Sequence, residues 1–244
     1  MNEQPYPYTV LAMDTVASSA GTRARQVHLD KALDRVIAGA LHQCSFADDK
    51  WFHRVTGDSA TLAAPASVPK ARIAADFVRE LGTALHNVNS MMNETGRLRV
   101  RLAIDHGDVI RHSDHINGTA VVRAARLCDS EALRDALRRN SDVDLAVIVT
   151  EAFYDDAVVE GDRGVDPREF TFVHDRVKGR EVSGWIWLPS RQNKGGNGGA
   201  PRLGPRPVPV PPSDNSTKVR DVKAKGNIVI GTNGSMHNHY PDNQ

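Results

Sequence analysis

Trp51-Phe52-His53-Arg54-Val55-Thr56-Gly57-Asp58-Ser59-Ala60-Thr61-Leu62-Ala63-Ala64 is the stretch on which the fold turns. Trp51 to Thr56 and Ser59 to Ala64 read as two strands, and Gly57-Asp58 between them suits a two-residue hairpin turn. An acidic side chain therefore sits at the hairpin tip. Upstream, Tyr8 to Met13 is a short apolar run that stops at Asp14, and Ser18, Ser19, Ala20 and Gly21 follow as a loop. That is a strand ending in a carboxylate. From Thr22 to Gln43 the apolar residues Val27, Leu29, Leu33, Val36, Ile37, Ala40 and Leu41 keep helical spacing, and Thr22 can cap the start. Downstream, Pro69 to Met92 reads as a second long helix through Ile73, Phe77, Val78, Leu81, Leu85 and Val88. Leu98 to Ile104 returns as a strand with a turn centred on Gly107. A third helix is expected from Gly118 to Arg139, then strands near Leu145 to Val149, Phe170 to Arg176 and Ser183 to Leu188. The expectation is an α/β domain, an α+β sandwich, over residues 1–190.

Composition narrows the functional classes. The 31 basic and 30 acidic residues give a formal net charge of +1, so no global field recruits nucleic acid or an anionic membrane. Phosphate recognition must be local. The N-terminal residues have neither a basic start nor an apolar core, and no apolar run approaches the ~18 residues of a membrane span, so a cytoplasmic protein is expected. Two cysteines, Cys44 and Cys128, are too few for a disulfide framework and lack metal-ligand spacing. Both read as buried small apolar residues.

After Pro189 the composition changes. Lys194-Gly195-Gly196-Asn197-Gly198-Gly199 and the prolines from Pro205 to Pro212 make residues 191–217 a disordered linker, flexible first and polyproline-like afterwards. Residues 218–244 are too few to bury a core. In Lys225-Gly226-Asn227-Ile228-Val229-Ile230-Gly231-Thr232-Asn233, apolar residues flanked by Asn and Gly suit in-register stacking as a steric zipper. A strand that augments its own domain's sheet and a disordered tail are the other readings of the same residues. His237 and His239 read as solvated polar residues.

Four motifs in order carry a resemblance: Val10-Leu11-Ala12-Met13-Asp14, Arg54-Val55-Thr56-Gly57-Asp58, Val100-Arg101-Leu102-Ala103-Ile104-Asp105-His106-Gly107-Asp108-Val109, and Asn117-Gly118-Thr119-Ala120-Val121-Val122-Arg123-Ala124-Ala125-Arg126-Leu127. With Val177-Lys178-Gly179 before the last strand, residues 8–189 resemble the class III adenylyl and guanylyl cyclases. The resemblance implies a ferredoxin-like fold, a mostly antiparallel sheet flanked by long helices. It implies a reaction, nucleoside triphosphate to 3′,5′-cyclic nucleotide and pyrophosphate, and a homodimer whose sites form across the interface. Asp14 and Asp58 match the family's ligands for two divalent metals, Mg²⁺ or Mn²⁺, and hard cations on carboxylates suit a phosphoryl transition state. Arg126 matches the transition-state arginine, and Lys178 a phosphate-binding lysine. Read without the family, Asp14 caps a turn, Asp58 is chosen for the hairpin backbone, and Arg126 and Lys178 belong to a solvated helix face and a surface turn. Arg123 reads as structural or surface.

The chain departs from the family in three places. Val122 stands where the ribose-orienting asparagine is expected, and an aliphatic side chain donates no hydrogen bond. The two base-reading positions carry Arg54 and His115, which match neither the adenine-specific nor the guanine-specific pattern, so the nucleotide is open. Arginine with histidine is able to donate to carbonyl oxygens on a base edge. A catalytically weak or inactive cyclase-fold effector is therefore the alternative function. In that reading it is recruited through the tail, where Ile228 to Gly231 resembles the RHIM-type and bacterial amyloid signalling motifs and offers a homotypic partner.

Overall fold

The computed structural model describes residues 4–16, 23–46, 51–93, 96–161 and 163–189, with the side chains of helix residues 23–28 left aside. The expected linker (191–217) and tail (218–244), with the Ile228 to Gly231 motif, lie outside the described residues. The hairpin forms as read: β2 (Phe52–Thr56) and β3 (Ser59–Pro65) pair through Thr56↔Ser59, leaving Gly57-Asp58 as the loop. Gly57 takes φ 59°, the first-position glycine of a type II′ turn.

β1 (Tyr6–Thr15) lies between β3 and β4 (Val100–Arg111), antiparallel to both. β6 (Leu145–Val149) joins β4 in parallel, and the hairpin β7 (Thr171–Val177) with β8 (Arg180–Trp187) closes the far edge. The order is β2-β3-β1-β4-β6-β8-β7, with β5 (Ile116–Asn117) paired off the end of β4. The mostly antiparallel sheet and flanking helices agree with the expected class.

Alternation along β1 and β4 divides the core. Leu11, Met13, Leu102 and Ile104 point to the face covered by α1 (Arg23–Gln43) and the second long helix, where Leu33, Ile37, Phe77 and Leu81 are buried. Val10, Ala12 and Ala103 point to the opposite face, under α4 (Thr119–Cys128) and α5 (Glu131–Arg139). The side chains on this second face are small because α4 lies close. A Cβ at Gly118, where φ is 153°, would meet the Asp108 carbonyl oxygen at 2.5 Å.

Three expectations are corrected. No turn occurs at Gly107: β4 runs on to Arg111 because β1 pairs with it throughout, from Thr15↔Val100 through Tyr8↔Gly107 to Tyr6↔Val109. The expected helix from Gly118 to Arg139 is two helices. Ser130, fully buried, donates to the Leu127 carbonyl (2.7 Å) and accepts from the Leu133 N–H as N-cap of α5. The second long helix opens as α2 (Lys70–Arg72), passes through a π-helical turn (Ile73–Phe77) and continues as α3 (Val78–Asn89). It stops where the Asn89 side chain exchanges two 2.8 Å hydrogen bonds with the Leu98 backbone. A short helix, α6 (Glu151–Tyr154), continuing into a π-helical turn (Asp155–Val159), has no counterpart in the sequence reading.

Both cysteines are buried, as expected; burial raises the Cys44 thiol to about 11 and Cys128 to about 12. Among the described residues no helix is long and apolar enough to cross a membrane.

Candidate active site

Asp14 and Asp58 meet at one corner of the sheet. Asp14 pairs with Ser59 across the β1–β3 ladder, so the hairpin carries Asp58 beside the end of β1, and the Thr15 N–H donates to the Asp58 carbonyl at 2.9 Å. The Ser59 hydroxyl donates to the Asp58 carboxylate at 3.3 Å. Two carboxylates on adjoining strand ends are the hard oxygen donors that a divalent cation such as Mg²⁺ or Mn²⁺ takes. Among the described residues no cluster of three or more His, Cys, Asp or Glu forms a fuller ligand set, so a cation here would complete its shell from phosphate oxygens and water.

The sequence reading did not single out a third member of this corner. Arg101 lies directly across the β1–β4 ladder from Asp14, and its Nη2 donates to the Asp14 carboxylate. The Arg101 side chain is only 10% exposed, and its Nε and Nη1 have no partner among the described residues. Burial lowers its pKa from the usual arginine value. A desolvated guanidinium with two unspent donors is suited to anionic oxygens. The signal was present in sequence: an arginine inside Leu98 to Ile104, on the face opposite Val100 and Leu102, is buried once α4 covers that face. Cys128 of α4 confirms the closeness, its Sγ lying 3.7 Å from the Arg101 carbonyl.

Arg123 is tied down. Its Nε donates to Asp105 at 2.6 Å, and the other oxygen of this fully buried carboxylate accepts from the Thr150 hydroxyl at 2.8 Å. Arg123, read from sequence as structural or surface, is half exposed and pairs with a buried carboxylate.

Arg54 and His115, the positions expected to read the base, both bond to Asp114. Arg54, on β2, donates through Nη1 to the Asp114 backbone carbonyl (3.0 Å), and the Asp114 carboxylate meets His115 Nδ1 at 2.7 Å. A carboxylate can only accept, so the His115 Nδ1–H donates to Asp114. Beside them an open cleft of about 480 Å³ is bordered by Trp51, Arg54, Arg111 and Asp114.

A third group lies around Asp129, which caps the C-terminus of α4. Lys178 occupies the turn of the β7–β8 hairpin with φ 49°, followed by Gly179 at φ 77°, and its Nζ reaches Asp129 at 3.1 Å. Arg126 sits in the last turn of α4, half-buried, with no hydrogen bond or ion pair among the described residues. Val122, one turn earlier, is 47% exposed. The predicted residues therefore fall into three groups: Asp14 with Asp58, Arg54 with His115, and Arg126 with Lys178 near Asp129.

No protein-family model matches the chain, and no curated protein matches it. Solved structures do. An adenylate/guanylate cyclase/hydrolase from Silicibacter pomeroyi superposes with a TM-score of 0.56 at 21% identity, covering 78% of this chain and 100% of that one. The guanylyl cyclase Cya2 gives 0.54 at 16% identity, over 79% of this chain and 98% of its own. The guanylate cyclase domain of RhGC from Catenaria anguillulae, in complex with GTP, gives 0.51 at 15% identity, over 78% and 100%. At these identities the likeness establishes the fold: the described domain has the class III nucleotide cyclase fold.

Proposed function

We propose that the chain is a nucleotide cyclase-like signalling protein, working in the cytosol, that converts a nucleoside triphosphate into a 3′,5′-cyclic nucleotide and pyrophosphate. The observation that carries this reading is the corner where Asp14 and Asp58 lie on adjoining strand ends beside the buried Arg101 guanidinium. In the reaction the ribose 3′-oxygen bonds to the α-phosphorus, the bond to the β-phosphate bridging oxygen breaks, and the hydroxyl proton leaves to solvent. Asp14 and Asp58 hold two divalent cations, Mg²⁺ or Mn²⁺, which when bound neutralise phosphate charge and favour ionisation of the 3′-hydroxyl. Arg101 keeps Asp14 in place. Arg126 braces the α-phosphate through its fork of donors, and Lys178 exchanges Asp129 for a phosphate oxygen. Arg54 and His115 hold the base. Val122 lines the ribose without a hydrogen bond.

In this reading Arg126 and Lys178 act on a triphosphate held by Asp14 and Asp58 of a second copy. That gives a homodimer with two equivalent sites. The test is Asp58→Ala. Cyclic product is expected to be lost while the circular dichroism spectrum and oligomeric state are unchanged, and near-normal turnover would sink the assignment.

One observation favours a second reading, a weak or inactive effector recruited through its tail. Val122 presents an exposed aliphatic group where a donor is needed, and Lys178 already has a carboxylate partner. Val122→Asn separates the two. A weakened cyclase gains turnover, whereas an effector gives no cyclic product before or after the change.

A further inference from the structure

The β7–β8 hairpin runs past its neighbour in the sheet. β6 pairs with β8 at Trp185, Ile186 and Trp187, whereas residues 175–177 of β7 and 180–182 of β8 have ladder partners only in each other. The turn that carries Lys178 therefore stands clear of the rest of the sheet. Two side-chain hydrogen bonds tie this end of the hairpin to the junction of α4 and α5. Asp175 accepts from the Ala132 N–H at 2.9 Å, and Lys178 donates to Asp129 at 3.1 Å. Residues 175 and 178 thus meet residues 132 and 129, three apart on both sides and in opposite order.

The two contacts differ in kind. Lys178 is 78% exposed, and Arg134 also reaches Asp129 at 3.4 Å, so the lysine can leave without stranding the carboxylate. Asp175 instead takes a first-turn N–H of α5, one of the donors that no carbonyl of the helix satisfies, and its other oxygen accepts from the Arg176 N–H at 2.6 Å. Negative charge is favoured at that helix end. The bond from Ala132 holds the Asp175 carboxyl below its usual range, so it is ionised at neutral pH.

Resting on the proposed cyclase reading, we infer that Asp175 is a positioning residue for phosphate binding: it anchors the β7–β8 turn to the N-terminus of α5, so that Lys178, on leaving Asp129, stays at the end of α4 that carries Arg126. An anchored turn lets Lys178 reach a phosphate oxygen by rotating its side chain alone. A loose one must first order its backbone, and that cost appears as weaker binding.

The test is a double-mutant cycle read by calorimetric titration of the full chain with Ca²⁺ and, in turn, ATP, GTP, CTP and UTP, taking the triphosphate that binds most tightly. Asp175→Ala is expected to weaken that binding about tenfold, and Lys178→Ala likewise. In the Lys178→Ala background, adding Asp175→Ala should cost less than about twofold, because the anchor then has no lysine to position. Asp175→Asn keeps an oxygen for the Ala132 N–H and should hold binding within about threefold of the original chain. Asp175→Val, a better strand former, carries the expectation of the alanine variant should that one fail to fold. A merely structural Asp175 would weaken binding by the same factor with or without Lys178, and that additivity overturns the inference while leaving the cyclase reading in place. Unchanged binding in Asp175→Ala overturns it too. No binding of any triphosphate by the original chain overturns both.

Discussion

Two arginine–carboxylate pairs lie four residues apart on β4 and are built in opposite ways. In the Asp105–Arg123 pair the carboxylate side chain is 1% exposed and the arginine 52%; both carboxylate oxygens have donors, and the arginine reaches solvent. In the Asp14–Arg101 pair the arginine is the buried partner, at 10%, the carboxylate is 23% exposed, and two guanidinium nitrogens have no acceptor among the described residues. The first pair is complete within the chain. The second has buried donors left over on the central strand of the sheet, and a buried donor without a partner costs stability. Stability and function should therefore respond differently to loss of each arginine.

The largest stability effect is expected from Arg123→Ala, which leaves the Asp105 carboxylate buried with the Thr150 hydroxyl as its one side-chain donor among the described residues. Breaking such a pair costs about 3 kcal/mol, read from the shift of the urea midpoint at constant m-value. An unchanged midpoint would show that Asp105 is hydrated and that the two pairs do not differ in kind. Arg101→Met should change stability by less than about 1 kcal/mol, because the methionine relieves the orphaned donors while leaving a partly exposed Asp14 behind. Cyclic product should nonetheless be lost. The smallest effect falls on Arg126→Ala, within about 0.5 kcal/mol, since this side chain has no partner to lose among the described residues. Its turnover should fall as far as that of Arg101→Met, and normal turnover would move Arg126 out of the site.

How much of this was legible in sequence follows from how local each signal is. The β2–β3 hairpin, the positions of Asp14 and Asp58, and α1 were readable because turn chemistry and periodicity act over a few residues. Gly107 misled because a glycine in a polar stretch looks like a turn until β1 pairs across it. The break at Asp129-Ser130 is a capping signal inside what looked like one apolar period, and the buried Ser130 side chain enforces it. Arg101 was overlooked because an arginine on alternating strand positions looks solvated until a helix covers that face. Asp114 was overlooked because its effect comes through two partners, one of them 60 residues away in the chain.

The central claim, that the Asp14–Asp58–Arg101 corner is built for nucleotide cyclisation, is tested most directly by product analysis. The purified full chain is incubated separately with ATP, GTP, CTP and UTP in the presence of Mn²⁺, and each reaction is resolved for 3′,5′-cyclic nucleotide and pyrophosphate, with Asp58→Ala alongside. The account predicts equimolar cyclic nucleotide and pyrophosphate from at least one triphosphate and neither product from the variant. No cyclic product from any of the four, or equal product from the variant, would contradict it.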